Sequence, residues 1–289
     1  MNEVRYDIGI RTAPGARRLP RFGGALWQRG RGLAESLAFT AAGFAVLLLV
    51  WALLAGAAGH DLPGPAPALR QLWALLSNAF YDRGPNDKGI AIQLAGSLRR
   101  VFAGFAIGAA VAIPLGVLMG ANGTVRRITD PIVQVLRPVS PLAWFPIGLA
   151  AFRSAGTATV FVIVITSLWP TILNTAFGVG SVPQDHKNVA RVFKFSRGKY
   201  LMRVVLPHSM PHIITGLRLS MGIAWMVIVA AEMLSGGNGI GFFVWDSWNA
   251  LSLTKVMSAI LIIGGVGLLL DRGFSLLAGL FDYAQQGRA

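Results

Sequence analysis

Charged positions fall unevenly along the chain. No Lys, Arg, Asp or Glu occurs from Ser36 to His60, from Val101 to Val125, or from Ser154 to Gln184. A helix needs about 20 predominantly apolar residues to cross the hydrocarbon of a bilayer, so each window supplies one crossing. Three further apolar runs are interrupted. Residues 138–152 hold Pro138, Pro141 and Pro146, residues 213–234 hold Arg218 and Glu232, and the run from 256 extends past Asp271 toward Leu280. Prolines and single charges are tolerated where neighbouring helices cover them. The pattern predicts six crossings, at about 37–58, 99–120, 132–152, 156–178, 212–234 and 256–279. The expected fold class is an all-α polytopic membrane protein.

Composition agrees. Of 289 residues 54% are hydrophobic and 13% charged, where soluble domains carry about a quarter charged. There is no cysteine, which excludes disulfides and thiol chemistry. The net charge of +14 would attract nucleic acid, but its distribution points to a membrane instead. The first 35 residues carry seven arginines against three acids, a short loop holds Arg126, Arg127 and Arg137, and six basic residues without an acid run from Lys187 to Arg203. With six spans and the N terminus inside, all three groups are cytoplasmic, as the positive-inside bias requires, and both termini lie inside. No apolar core precedes Ser36, so residues 1–35 read as a retained basic arm rather than a secretory peptide. Segment 59–98 is then external. Its "PAPALRQLWALLSNAF" predicts a helix on the membrane surface with Leu72, Leu75 and Leu76 on one side. Arg99 and Arg100 sit on the outer side of the second span, where they reach the headgroups by snorkelling.

The stretch "QDHKNVARVFKFSRGKYLMRVVLP" lies between spans four and five. Val189, Val192, Phe193 and Phe195 alternate with Asn188, Arg191, Lys194 and Arg197 at near-helical spacing, which predicts a short amphipathic helix. Pro207 is expected to interrupt or restart the helix that follows. Periodicity alone allows two roles, an interfacial helix on anionic lipid or a docking helix for a soluble partner.

The same stretch resembles the cytoplasmic loop of ABC importer permeases, in which Glu-Ala-Ala is followed by a Gly and later by a hydrophobic-Leu-Pro. Asn188, Val189 and Ala190 stand at the triplet, Lys194 at the Gly, and "VVLP" closes the motif at Pro207. Asn188 thus replaces an acid and removes a charge-assisted contact. Lys194 replaces a Gly and removes an easy close approach of backbone. "SPLAWFPIGLA" at 140–150 and "HIITGLRLSMGIAWMVIVAAEML" at 212–234 are similar to permeases of the nitrate, bicarbonate, cyanate, taurine and sulfonate group. "QDxxNVAR" and "GIGFFVWDSWN" look closer to the nitrate and bicarbonate branch.

The resemblance implies a type I importer transmembrane domain. Two permease subunits, this one paired with an identical copy, would enclose a path in the bacterial inner membrane, amid its lipids. Two cytoplasmic ATPases would dock on the coupling helices, and an external binding protein would deliver the solute, most simply nitrate or nitrite. Bicarbonate, cyanate, taurine and alkyl sulfonates stay open. The implied coupling residues are Asp185, Lys187, Asn188, Val189, Ala190, Arg191, Phe193, Lys194 and Pro207. The chain lacks a G-x-x-x-x-G-K-[ST] loop, so it is expected to be a non-catalytic subunit without cofactor, with ATP and Mg held by the ATPases. "SGGNGIG" at 235–241 is read as a flexible outer turn.

An anion path exchanges hydration for fixed donors, and its candidate residues are Ser140, Trp144, Thr166, Trp169, Asn174, Arg218 and Trp225. Arg218 can meet an anion or a lipid phosphate, whereas Glu232 would repel an anion and is expected to pack against another helix. His208 and Pro211-separated His212 are a weak metal spacing, and no metal is expected. The chain divides into an arm at 1–35, a first span and external segment at 36–98, a permease core at 99–280 with its coupling loop at 181–211, and a tail at 281–289. A self-contained channel or secondary transporter would show inverted repeats or a filter motif, and an intramembrane enzyme would need several placed acids and bases. Neither pattern is present. No nucleic-acid partner is expected.

Overall fold

The computed structural model describes residues 22–59, 62–84 and 87–281. Helix α1, Phe22–Ala57, is one unit. Its Leu37–Ala57 portion is long and apolar enough to cross a bilayer, and the helix begins well before the predicted 37. Residues 1–21 of the basic arm and 282–289 of the tail lie outside the described residues.

The second unit, Ala58–Ala289, is built on α3 (Ile90–Ala121), α6 (Ala155–Gly180), α9 (Leu206–Ser235) and α11 (Leu253–Leu280). Helices α3 and α6 run parallel along a seam of small residues. A Cβ on Gly104 would lie 2.7 Å from Ile163, one on Gly116 2.6 Å from Thr175, and one on Gly120 2.5 Å from the Ala176 carbonyl. Between apolar helices in lipid, contact of this closeness replaces the hydrophobic drive. Helix α9 runs antiparallel to α6, joined at mid-length by the Thr171 and Ser220 hydroxyls at 2.7 Å and by Ser220 Oγ donating to the Ser167 carbonyl at 2.7 Å. Helix α11 closes the other side of α9, with the Trp225 indole N–H donating to the Ile263 carbonyl at 3.0 Å.

The helix predicted within segment 59–98 is α2, Pro65–Ser77. Ala68 is fully buried, and its carbonyl accepts from Ser258 Oγ of α11 at 2.8 Å. Leu72 and Leu75 share the covered side, whereas Leu76 is exposed with Leu69 and Trp73. The predicted Leu72, Leu75 and Leu76 face is therefore split between two stripes. Past α2, Asp82 and Lys88 close a short loop by an isolated bridge. The Lys88 ammonium, 3.0 Å away, with the Gly84 N–H, holds the Asp82 carboxyl below its ordinary range.

Proline shapes two of the predicted stretches. The third crossing is not a straight helix: α4 (Gly123–Leu136) and the pair formed by a 3-10 turn (Pro141–Trp144) and α5 (Phe145–Phe152) meet at 95°. Pro138 and Pro141 lack an N–H donor, and Pro141 holds the residue before it, Ser140, out of helical conformation at ψ 129°. Among the described residues five helices are thus long and apolar enough to cross, or six if the bent pair counts as one. Nor does Pro207 break its helix. Helices α8 (Arg197–Tyr200) and α9 are continuous through a π turn at Leu201–Val205, and the wider turn relieves the clash between the proline ring and the carbonyl preceding it.

Candidate functional site

Three polar arrangements stand out in the second unit. The first is α7, Gln184–Val192, which links α6 to α8. Asp185 lies in its first turn and Arg191 in its last, each suited to the helix dipole. Ala190 is buried, and Lys187 is partly covered. Asp185, Asn188, Val189, Arg191, Phe193, Lys194 and Pro207 are exposed. The exposure of Val189 at 52%, Val192 at 77% and Phe193 at 70% makes an apolar surface edged by basic residues.

The end of α7 explains the substitution at Lys194. Phe195 N–H donates to the Ala190 carbonyl at 2.9 Å and Lys194 N–H to the Arg191 carbonyl at 3.0 Å, the paired bonds of a Schellman stop. Lys194 occupies its left-handed position at φ 46°. The backbone turn that a Gly would favour is kept, at a cost of about 1–2 kcal/mol for a residue with a Cβ.

The second arrangement is a cavity of about 290 Å³ beside the break between α4 and α5. Its walls include Ser140, Trp144, Thr166 and Trp169, together with Arg137 and Ile223. Four of the seven predicted path residues therefore converge, although they come from two separated stretches of sequence. Thr166 and Trp169 stand near the middle of α6, and Ile223 near the middle of α9, so the cavity lies at mid-depth in the bundle. Thr166 Oγ1 already donates to the Val162 carbonyl at 2.7 Å. The Arg137 side chain makes no hydrogen bond or ion pair with any described residue. It also stands at the break, whereas Arg126 and Arg127 lie near the start of α4 rather than in a short loop with it.

The other three path candidates are elsewhere. Asn174 donates to the Pro170 carbonyl at 2.8 Å, Trp225 is in the core between α9 and α11, and Arg218 forms a two-bond pair with Asp271 at 2.7 Å for each contact. His212 packs edge-on against Phe177, and His208 lies 3.3 Å from Ser181 Oγ. No group of three or more metal-ligating side chains exists among the described residues.

The third arrangement is a buried knot at the far end of α9 from α7. The Glu232 side chain is 1% exposed. Its Oε1 accepts from Arg100 Nη1 at 2.7 Å, and its Oε2 accepts from Ser97 Oγ at 2.7 Å and from Gly241 N–H at 3.0 Å. Arg100 also donates to the carbonyl and side-chain oxygens of Asn238, and Gly239 N–H donates to Gln93 Oε1. Ile240 N–H donates to Ser97 Oγ at 2.8 Å. The knot thus caps α10, Ile240–Asn249, whose first N–H groups have no partner within the helix. Gly239 sits at φ 143°, and a Cβ there would lie 2.3 Å from the Glu232 carboxylate. The "SGGNGIG" turn is therefore pinned rather than flexible, and Arg100 is tied to Glu232 rather than reaching outward. Two charges 132 residues apart in sequence leave no local signature, so sequence reasoning missed the pair.

A bundle with a broken crossing, an amphipathic linker helix and a mid-depth cavity has the form of a transport subunit. The model for the inner membrane component of binding-protein-dependent transport systems matches residues 112–282. The chain belongs to that family. The permease is similar over nearly its whole length to curated members. The nitrate import permease protein NrtB of Synechocystis sp. is 46% identical over 246 residues, 85% of this chain and 90% of that one. The bicarbonate transport system permease protein CmpB of Synechococcus elongatus is 45% identical over 234 residues, 80% of this chain and 84% of that one. A chain of the MetNI methionine ABC transporter in an inward-facing conformation superposes with a TM-score of 0.61 at 12% identity, over 66% of this permease and 95% of that chain. That likeness is one of fold. The permease is a multi-pass membrane subunit of an ABC importer.

Proposed function

We propose that this permease forms the translocation path of an ATP-driven importer for a small inorganic oxyanion, nitrate first and bicarbonate second, and couples ATPase motion to alternating access. One observation carries the coupling half of the proposal: the two most closely packed antiparallel helices, α6 and α9, are joined through α7, whose exposed Val189, Val192 and Phe193 lie beside Arg191 and Lys194. A helix so placed passes a push from a soluble partner directly to both spans. The substrate half is supported by the names of the NrtB and CmpB relatives. The path runs past the cavity at Ser140, Trp144, Thr166 and Trp169.

In this reading α7 faces the cytoplasm, where two ATPases bind ATP and Mg, and both termini lie on that side. A second copy of the permease completes the path, and an external binding protein docks at the end bearing the glycine turn. The chain itself is not catalytic.

Reconstitution of the permease with the ATPase and binding protein encoded beside it tests the reading. ATP hydrolysis is measured with nitrate, bicarbonate, cyanate and taurine in turn. Nitrate is expected to stimulate it most; stimulation by taurine alone would reject the inorganic anion. In the same complex, joint replacement of Arg191 and Phe193 by Ala should lower ATPase copurification or uptake at least about tenfold, since central interface anchors are worth about 1–2 kcal/mol each or more, while membrane insertion persists. Wild-type uptake and copurification would reject α7 as the coupling element.

A further inference from the structure

The arginines beside the crossings do not share one fate. Arg100 is bound by Glu232, Arg218 by Asp271, and Arg126 faces Asp130 at 3.4 Å. Arg137, at the break, has no such partner among the described residues. An arginine does not deprotonate in a protein, and an intramembrane charge is expected to meet a counter-ion or a water-filled cavity. Arg137 meets a cavity.

The chemistry of the walls narrows what that cavity accepts. No carboxylate lines it; Asp130 borders a separate hollow that Arg137 also touches, and is engaged by Arg126. Thr166 spends its proton on its own helix, so the side-chain donors left among the lining residues are the guanidinium N–H groups, the Ser140 hydroxyl and the indole N–H groups of Trp144 and Trp169. Trp144, Trp169, Ile165, Ile223 and the flanking prolines supply the remaining, largely apolar surface. A water occupies about 30 Å³ of liquid, so 290 Å³ holds a small ion with part of its hydration shell. The cause of the site is local: Pro138 and Pro141 stop the helix here, and non-helical backbone at membrane depth persists where it lines a cavity.

We propose that Arg137 is the anion-binding residue of the path, its planar fork taking two oxygens of a small, singly charged oxyanion while the Ser140 hydroxyl donates to the ion. This rests on the reading of the permease as an oxyanion importer and adds the group that selects for charge. A guanidinium holds two coplanar oxygens through parallel N–H bonds, which a lysine ammonium does not reproduce. The remaining walls are largely apolar, which disfavours a larger polar solute.

The absence of cysteine makes the site directly addressable, because Ser140→Cys introduces the only thiol of the permease. In the assembled transporter, anionic and cationic methanethiosulfonate reagents are compared at this thiol, with rates normalised to a free thiol in solution. The anionic reagent should be favoured about tenfold, nitrate should slow the labelling, and both effects should vanish when Arg137→Gln is added. Equal normalised rates, or a preference that survives Arg137→Gln, would overturn the proposal. In parallel, nitrate uptake should fall at least about tenfold in Arg137→Gln and less in Arg137→Lys, and stay at the wild-type level in Arg127→Gln, an exposed residue away from the cavity. Wild-type uptake by Arg137→Gln would reject the proposal alone. Failure of the wild-type complex to move any of the anions would instead reject the importer reading beneath it. Should Arg137→Gln fail to assemble, charge preference and nitrate protection in Ser140→Cys with Arg137 intact decide the matter.

Discussion

Arg100 and Arg137 carry the same group in opposite circumstances. Arg100 is locked by Glu232 and Asn238 into a knot that also caps α10, whereas Arg137 faces a cavity at a proline break. The first spends its charge on holding three segments together. The second keeps its charge available, and the difference separates architecture from transport in one small protein. It also explains the density of partners around Glu232: a buried charge is tolerated only when its remaining valences are met.

Removing the knot is the most severe way to break this comparison. Glu232→Ala leaves the Arg100 guanidinium without its carboxylate and the Gly241 N–H of α10 without its acceptor. Loss of one partner of a buried pair costs about 3–5 kcal/mol, so thermal unfolding of the detergent-solubilised permease should shift down by many degrees. Glu232→Gln, which keeps acceptor and shape, should retain part of that stability; equal loss in the two variants would mean that charge alone holds the knot. A smaller effect sharpens the contrast. The Arg218 and Asp271 side chains are 41% and 49% exposed, and pairs this open contribute about 0.2–1 kcal/mol, so Arg218→Ala should lower stability by no more than that. Smallest of all, Arg137→Gln should change stability by less than about 0.5 kcal/mol, while its transport is lost. A destabilisation matching that of Glu232→Ala would place Arg137 in the architecture instead.

Much of this was legible in the chain. Three charge-free windows and the interrupted apolar runs around 213–234 and 256–280 located five spans because lipid admits few charges, and the amphipathic spacing around Val189 located α7. Ser140, Trp144, Thr166 and Trp169 were picked one by one by residue type, and no spacing foretold that they line one cavity; Asn174 and Trp225 are engaged with neighbouring backbone. Three features resisted. Hydropathy located the crossing at 132–152 but not its 95° bend, because it weighs apolarity and not the missing N–H groups of Pro138 and Pro141. The Arg100 and Glu232 pair is non-local, which no periodicity encodes. Lys194 in place of a Gly said nothing of the turn, which the Schellman bonds hold with the Lys194 backbone left-handed. One signal was present and unread: Gly104, Gly108, Ala112, Gly116 and Gly120 recur every four residues, the spacing of a close helix seam.

That seam has a mechanical consequence. With α3 seated on α6 through glycines, α6 fastened to α9 at Thr171 and Ser220, and α9 tied back to α3 through Glu232, the three helices are braced as a triangle. A braced frame tilts before it bends. Helix α6 has 26 residues, and at 1.5 Å per residue it is a rod of roughly 39 Å. A tilt of about 5° imposed at the α7 end therefore swings its opposite end by roughly 3 Å, comparable to the width of a water molecule.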